Sequence, residues 1–170
     1  SRLEVQPETD SRGLASPALE MTEAADAHVG GEVLALVRRT FGFPSLRPLQ
    51  DQAIRAAIAG RDLLLVLPTG GGKSLCYQVP ALLRPGLTVV VSPLISLMQD
   101  QISALQGHGV AAGMLNSAQE PSERRAVESE LERGRLKLLF VAPERLMLDG
   151  FLPRLERLGL SAIAIDEAHC

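Results

Sequence analysis

Four apolar runs stand out along the chain, at residues 63–67, 87–91, 136–141 and 160–165, and none of them alternates with polar residues. Runs of this length without alternation fit strands covered on both faces, the habit of a parallel sheet. The stretches between them are long enough for helices, and several carry helical signals. Val33, Leu34, Val37 and Phe41 recur at helical spacing with Gly42 behind them as a cap. Pro48 opens a second helix and Gly60 lies past its end. After residue 91, Ser92 can cap, Pro93 suits a first helical position, and Leu94, Leu97, Met98, Ile102 and Leu105 follow as a stripe that reads as core. Pro121 opens a helix carrying Val127 and Leu131 that ends near Gly134. Pro80 falls inside the helix expected over 73–83 and should bend or shorten it. The pattern predicts an α/β fold, a parallel sheet flanked by helices.

Before residue 31 the pattern is lost. Residues 1–30 mix Ser, Pro, Glu, Asp and Ala without an apolar period, which predicts a flexible tail ahead of one domain over 31–170. A chain of 170 residues with 46% hydrophobic and 22% charged residues can bury one core. No apolar run approaches the roughly 20 residues of a bilayer crossing, and the first 30 residues lack a signal-peptide h-region. The expected setting is cytoplasmic, or nuclear in a eukaryote, with no membrane partner. Cys76 and Cys170 stand far apart without a CxxC partner and read as free thiols. The net charge of −3 argues against binding nucleic acid by charge alone, so any such contact must be local. Aromatics at 3%, with no Trp, remove the stacking platform of many single-strand binders.

The chemistry lies in the polar cluster directly after each run: Pro-Thr-Gly-Gly-Gly-Lys-Ser, then Ser-Pro-Leu, then Ala-Pro-Glu-Arg, then Asp-Glu-Ala-His. Ligands of open α/β sheets bind outside the carboxyl ends of the strands, so these clusters should share one edge. The sequence from Leu67 to Ser74 has the context of a phosphate loop, with Lys73 facing phosphates and the Ser74 hydroxyl facing magnesium. The strict pattern has glycine where Leu67 stands. Asp166 and Glu167 close the last run, where one acid can hold Mg²⁺ and the other can activate water. By spacing alone His169 reads as a surface or cap residue. Ser92, Ser96, Gln99, Glu144 and Arg145 fit turn and cap positions or phosphate contacts to a nucleic-acid strand equally well. His28 and His108 have no ligand-like neighbours.

The order of these segments resembles the RecQ group of superfamily 2 DNA helicases over residues 40–170. The resemblance rests on Phe41-Gly42-Phe43, Leu46-Arg47-Pro48-Leu49-Gln50, and residues 67–74 continuing as Leu75-Cys76-Tyr77-Gln78-Val79-Pro80. It continues through Val90-Val91-Ser92-Pro93-Leu94-Ile95-Ser96-Leu97-Met98, Ala142-Pro143-Glu144-Arg145-Leu146 and Asp166-Glu167-Ala168-His169-Cys170. Leucine at the first loop position is tolerated in that group. The resemblance implies a RecA-like P-loop NTPase lobe, truncated after the Asp-Glu-Ala-His motif, that uses ATP and Mg²⁺. It assigns adenine to Gln50 with Phe43 and Arg47 flanking, and phosphate to Thr69, Gly70, Gly71, Gly72, Lys73 and Ser74. It gives magnesium to Ser74 and Asp166, water activation to Glu167, and coupling between ATP state and DNA to His169. Backbone contacts to single-stranded or forked DNA are implied near residues 92–99. The implied function is an ATP-dependent 3′-5′ DNA helicase of recombination and repair. The second RecA-like lobe and its arginine finger, worth about 10³–10⁵ in rate, lie beyond residue 170 in that group. Alone, the chain is therefore expected to bind nucleotide and unwind poorly. A regulatory nucleotide-binding module and a superfamily 2 RNA-dependent ATPase are the alternatives.

Overall fold

The structure is a computed structural model that describes residues 28–67 and 72–168. Helix α1 is described from residue 28 to 36 and runs into a π-helical turn, Val37–Phe41, closed by Gly42 at φ 74°. Residues 28–30 thus belong to a helix, while residues 1–27 lie outside the described residues. There follow α2 (Pro48–Ile58), α3 (Leu75–Leu83), β1 (Leu87–Val91), α4 (Ile95–Gly107) and β2 (Ala112–Leu115). The remaining elements are α5 (Pro121–Glu132), β3 (Leu138–Val141), α6 (Pro143–Leu146), α7 (Phe151–Arg157) and β4 (Leu160–Ile165). The four strands are parallel in the order β2-β3-β1-β4.

Strand alternation divides the core between the two faces of the sheet. Val90, Met114, Leu138 and Phe140 pack with Met98, Ile102 and Leu105 of α4 on one face. Val89, Val91, Leu139 and Val141 pack with Leu131 of α5 and Phe151 and Leu155 of α7 on the other. A third cluster joins Val33 and Val37, Ile54 of α2, and Leu75 and Val79 of α3. Every residue of β1, β2 and β3 is buried, as unalternating runs require.

Two expectations about strands are corrected. The run at 160–165 forms β4 but is not covered on both faces, since Ile163 and Ile165 are exposed. Residues 63–67 form no strand, and Leu64 and Val66 are 88% and 84% exposed. They line one wall of a cleft of about 680 Å³ whose other wall carries Ile163 and Ile165 of β4. An apolar run becomes a strand only when its backbone groups find a ladder partner, and here the cleft separates the two edges. In its place β2 supplies the fourth strand. Its Ala-Gly-Met-Leu sequence is short and low in β-branched residues, so it carried little signal. Pro80 is buried inside α3, which runs on through it to Leu83 and starts at Leu75, after Lys73 and Ser74.

Candidate nucleotide-binding site

Backbone hydrogen bonds stitch three strand ends into one edge. The Ser92 N–H donates to the Val141 carbonyl at 3.1 Å, and the Asp166 N–H donates to the Val91 carbonyl at 2.9 Å. The segments following β1, β3 and β4 therefore emerge side by side, as the edge argument predicts.

Lys73 and Ser74 form the turn that starts α3, their carbonyls accepting from the Cys76 and Gln78 N–H groups at 2.9 Å each. Lys73, Asp166 and Glu167 line the 680 Å³ cleft together. A second cavity of about 570 Å³ is lined by Phe43, Arg47, Gln50, Gly72, Ser74 and Gln101, among others. The two cavities lie on either side of the segment that carries Gly72, Lys73 and Ser74. Thr69, Gly70, Gly71, His169 and Cys170 lie outside the described residues.

Gln50 is buried and uses both ends of its amide. Its Oε1 accepts from the Arg47 N–H at 2.9 Å, fixing the first turn of α2, and its Nε2 donates to the Gly72 carbonyl at 3.1 Å. Gly72 has φ 76°, and a Cβ added there would collide with Gln50 Nε2. Both the torsion and the close approach require glycine. Phe43 stands half exposed at the mouth of this cavity.

The acidic pair differs in its surroundings. Asp166 Oδ1 accepts from the Glu167 N–H at 3.0 Å, and Asp166 Oδ2 lies 3.3 Å from the Tyr77 hydroxyl. Glu167 sits at φ 54°, in the left-handed region that side chains with a Cβ rarely adopt. Such a backbone is held only where neighbouring bonds enforce it, and the turn onto Asp166 is one of them. Burial, and then the negative charge of Asp166, push the Tyr77 phenol well above its ordinary range. Burial also pushes the Cys76 thiol up to about 11, which leaves it an un-ionised, free thiol.

The second and third polar clusters separate into exposed and structural residues. Ser92 is buried and does not cap α4, whose N-cap is Leu94; its Oγ accepts from the Leu94 N–H at 3.4 Å in the turn before the helix. Ser96, Gln99 and Glu144 are exposed. Arg145 is engaged inward, with Nη2 3.0 Å from Glu128 Oε1 and the guanidinium 5.3 Å from the Phe151 ring centre. The sequence reading missed Tyr77 and Gln101 as parts of this site. Tyr77 lies one helical turn past Ser74, which places both on one face of α3, and that spacing was the available signal.

The set fits a magnesium nucleotide in its chemistry: a lysine, a hydroxyl and a carboxylate pair at one sheet edge, with a neutral amide lining the neighbouring cavity. Among the described residues no group of three or more His, Cys, Asp or Glu is placed to hold a metal by itself.

Comparison with known proteins agrees. Residues 47–170 match the model of the DEAD/DEAH box helicase family. The chain is 48% identical over 137 residues to an ATP-dependent DNA helicase RecQ of Haemophilus influenzae, covering 81% of this chain and 22% of the relative. It is 42% identical over 172 residues to ATP-dependent DNA helicase Q-like 5 of Arabidopsis thaliana, covering all of this chain and 19% of the relative. It is 44% identical over 147 residues to ATP-dependent DNA helicase Q1 of Rattus norvegicus, covering 82% of this chain and 24% of the relative. The chain thus spans about a fifth to a quarter of the length of these relatives. It belongs to the DEAD/DEAH box helicase family, and within that family its similarity is to the RecQ helicases.

Proposed function

We propose that this chain is the ATP-binding lobe of an ATP-dependent DNA helicase that moves 3′-5′ and serves recombination and repair. The observation that carries the reading is the edge formed by the strand ends. Lys73 and the Asp166-Glu167 pair line one cleft, and Gln50 and Phe43 line a cavity beside it. Magnesium-bound ATP, when present, supplies the phosphoanhydride whose cleavage drives movement. Lys73 neutralises the β- and γ-phosphates, and Ser74 and Asp166 hold the ion. Glu167 orients and deprotonates the attacking water. Gln50 reads adenine with Phe43 and Arg47 beside the ring, and Thr69, Gly70 and Gly71 complete the phosphate cradle.

DNA contacts fall on the exposed Ser96 and Gln99 of α4, with His169 relaying nucleotide state to them. Among the described residues no helix is long and apolar enough to cross a membrane. A cytoplasmic or nuclear setting follows from the proposed work on DNA. The chain alone binds nucleotide but turns it over slowly, because the arginine that stabilises transition-state charge comes from a second lobe.

The test is ATP turnover with Mg²⁺, with and without single-stranded DNA or RNA, beside Lys73→Ala. The expected result is slow turnover with nucleotide binding that requires Lys73. Stimulation by RNA in preference to DNA would overturn the DNA assignment. Processive unwinding by this chain alone would overturn the division of labour between lobes.

A further inference from the structure

Three elements converge on the hydroxyl of Tyr77. It lies 2.6 Å from Gln101 Oε1 on α4 and 3.3 Å from Asp166 Oδ2 just past β4. Ser74 stands immediately before α3, three residues ahead of Tyr77. Ser74 and Asp166 are the pair that the proposed function gives to magnesium, and a role for Tyr77 beside them rests on that reading.

A phenol carries one proton. The 2.6 Å contact is a full O–H···O hydrogen bond and the 3.3 Å contact is a long one. In this arrangement the proton therefore lies toward Gln101, with Asp166 as second acceptor.

We propose that Tyr77 is a positioning residue: its hydroxyl sets the orientation in which Asp166 presents oxygen to magnesium, and ties that orientation to α4 through Gln101. A shift of α4 that lengthens the Gln101 contact releases the proton toward Asp166, and a tighter contact withdraws it. Ser96 and Gln99 are exposed on the same helix. A ligand bound on that face reaches the magnesium carboxylate through two side chains, Gln101 and Tyr77.

The chain contains one Tyr and no Trp, so its intrinsic ultraviolet emission reports Tyr77 alone. A carboxylate hydrogen-bonded to a phenol quenches that emission. The experiment uses the full chain and two readouts. Affinity for N-methylanthraniloyl-ATP is measured in EDTA and in Mg²⁺ for wild type, Lys73→Ala, Asp166→Asn and Tyr77→Phe. Tyrosine emission is recorded for wild type and Asp166→Asn saturated with adenylyl imidodiphosphate, before and after Mg²⁺.

In Tyr77→Phe the gain in affinity on adding Mg²⁺ should shrink about tenfold, the low end for a hydrogen bond to a charged group, with affinity in EDTA unchanged. Wild-type emission should rise when Mg²⁺ engages Asp166, and Asp166→Asn should start brighter and show no rise. Equal loss of affinity with and without Mg²⁺ in Tyr77→Phe would reduce the residue to a packing role and overturn the proposal. Emission that ignores both Mg²⁺ and the Asp166 substitution would also overturn it, even if Tyr77→Phe failed to fold. If Lys73→Ala keeps its affinity or Asp166→Asn keeps its Mg²⁺ gain, the nucleotide-site reading itself falls.

Discussion

Gln50 binds the carbonyl of Gly72 across 3.1 Å, so the residue implied in adenine reading already holds the end of the phosphate loop. Its other end is engaged by the Arg47 N–H. Each end of the amide keeps one further capacity, a second N–H and a second lone pair, so an adenine can be bonded while both contacts stay in place. Base recognition and loop geometry are thereby linked through one side chain. Gln50→Ala should weaken ATP binding about tenfold, the worth of one or two neutral hydrogen bonds, and should also narrow the preference for ATP over GTP. Competition binding with both nucleotides checks this; a loss of affinity with the preference intact would confine Gln50 to loop support. Gly72→Ala should weaken binding at least as much as Gln50→Ala in the same assay, because the torsion strains an alanine and the Gln50 amide must give up its bond to make room.

Glu167 combines a left-handed backbone with a place beside Asp166. Glu167→Gln keeps the shape and removes the proposed base. Turnover should fall by about 10²–10⁴ while affinity for the magnesium nucleotide stays within about twofold, the mark of a group used in the transition state only. Single-turnover hydrolysis paired with equilibrium binding separates the two. A matching loss of affinity would instead make Glu167 an ion ligand.

Strands β1 and β3 were legible because apolar neighbours cover both their faces, which leaves unbroken apolar runs in the sequence; β4 carries such a run although Ile163 and Ile165 stand exposed at the cleft. The same rule misread residues 63–67, since a run of apolar residues records hydrophobicity and not the presence of a pairing edge. β2 was missed for the opposite reason: Gly113 packs closely under Val127 of α5 and Ala112 joins the cluster on the α4 face, and small residues leave little hydrophobic signature. Asp166 and Glu167 follow β4, and Lys73 and Ser74 lead into α3, so the sequence placed these candidates at element ends that the structure brings to one cleft or its neighbour. Tyr77 and Gln101 could not be placed this way, since their role depends on a contact between α3 and α4, 24 residues apart in the chain.

Cys76 gives a pH-dependent prediction with a definite sign. Its thiol is raised from 9.0 to about 11 in the folded chain, so between those values the folded state holds a proton that the unfolded state releases. Stability from this group is complete below pH 9 and is lost as pH rises through 11. Urea unfolding of wild type should weaken relative to Cys76→Ala by about 1–2 kcal/mol across that window. Tyr77 shifts in the same direction but is present in both proteins and cancels. Peptide mapping after iodoacetamide at about pH 8, below the ordinary thiol range, should leave Cys76 unmodified in the folded chain. Rapid labelling there would contradict its burial.

Arg145 separates a structural role from a nucleic-acid contact, two readings the sequence left equal. Its side chain is only 20% exposed, is paired with Glu128 of α5, and lies over the Phe151 ring of α7. Its Nε is buried with no hydrogen-bond partner among the described residues, so the guanidinium is committed to this position by packing and by Nη2. A pair so placed lies between an exposed ion pair, worth under about 1 kcal/mol, and a fully buried one, whose breakage costs about 3–5 kcal/mol. Arg145→Ala should therefore lower stability by about 2 kcal/mol, including the lost cation–π contact. Arg145→Lys should recover less than half of this, because an ammonium cannot lie flat on the ring while reaching Glu128. Affinity for single-stranded DNA, measured well below the unfolding transition, should be unchanged in both variants. An unaltered urea midpoint together with weakened, less salt-dependent DNA binding would show that Arg145 leaves this pocket to meet phosphate.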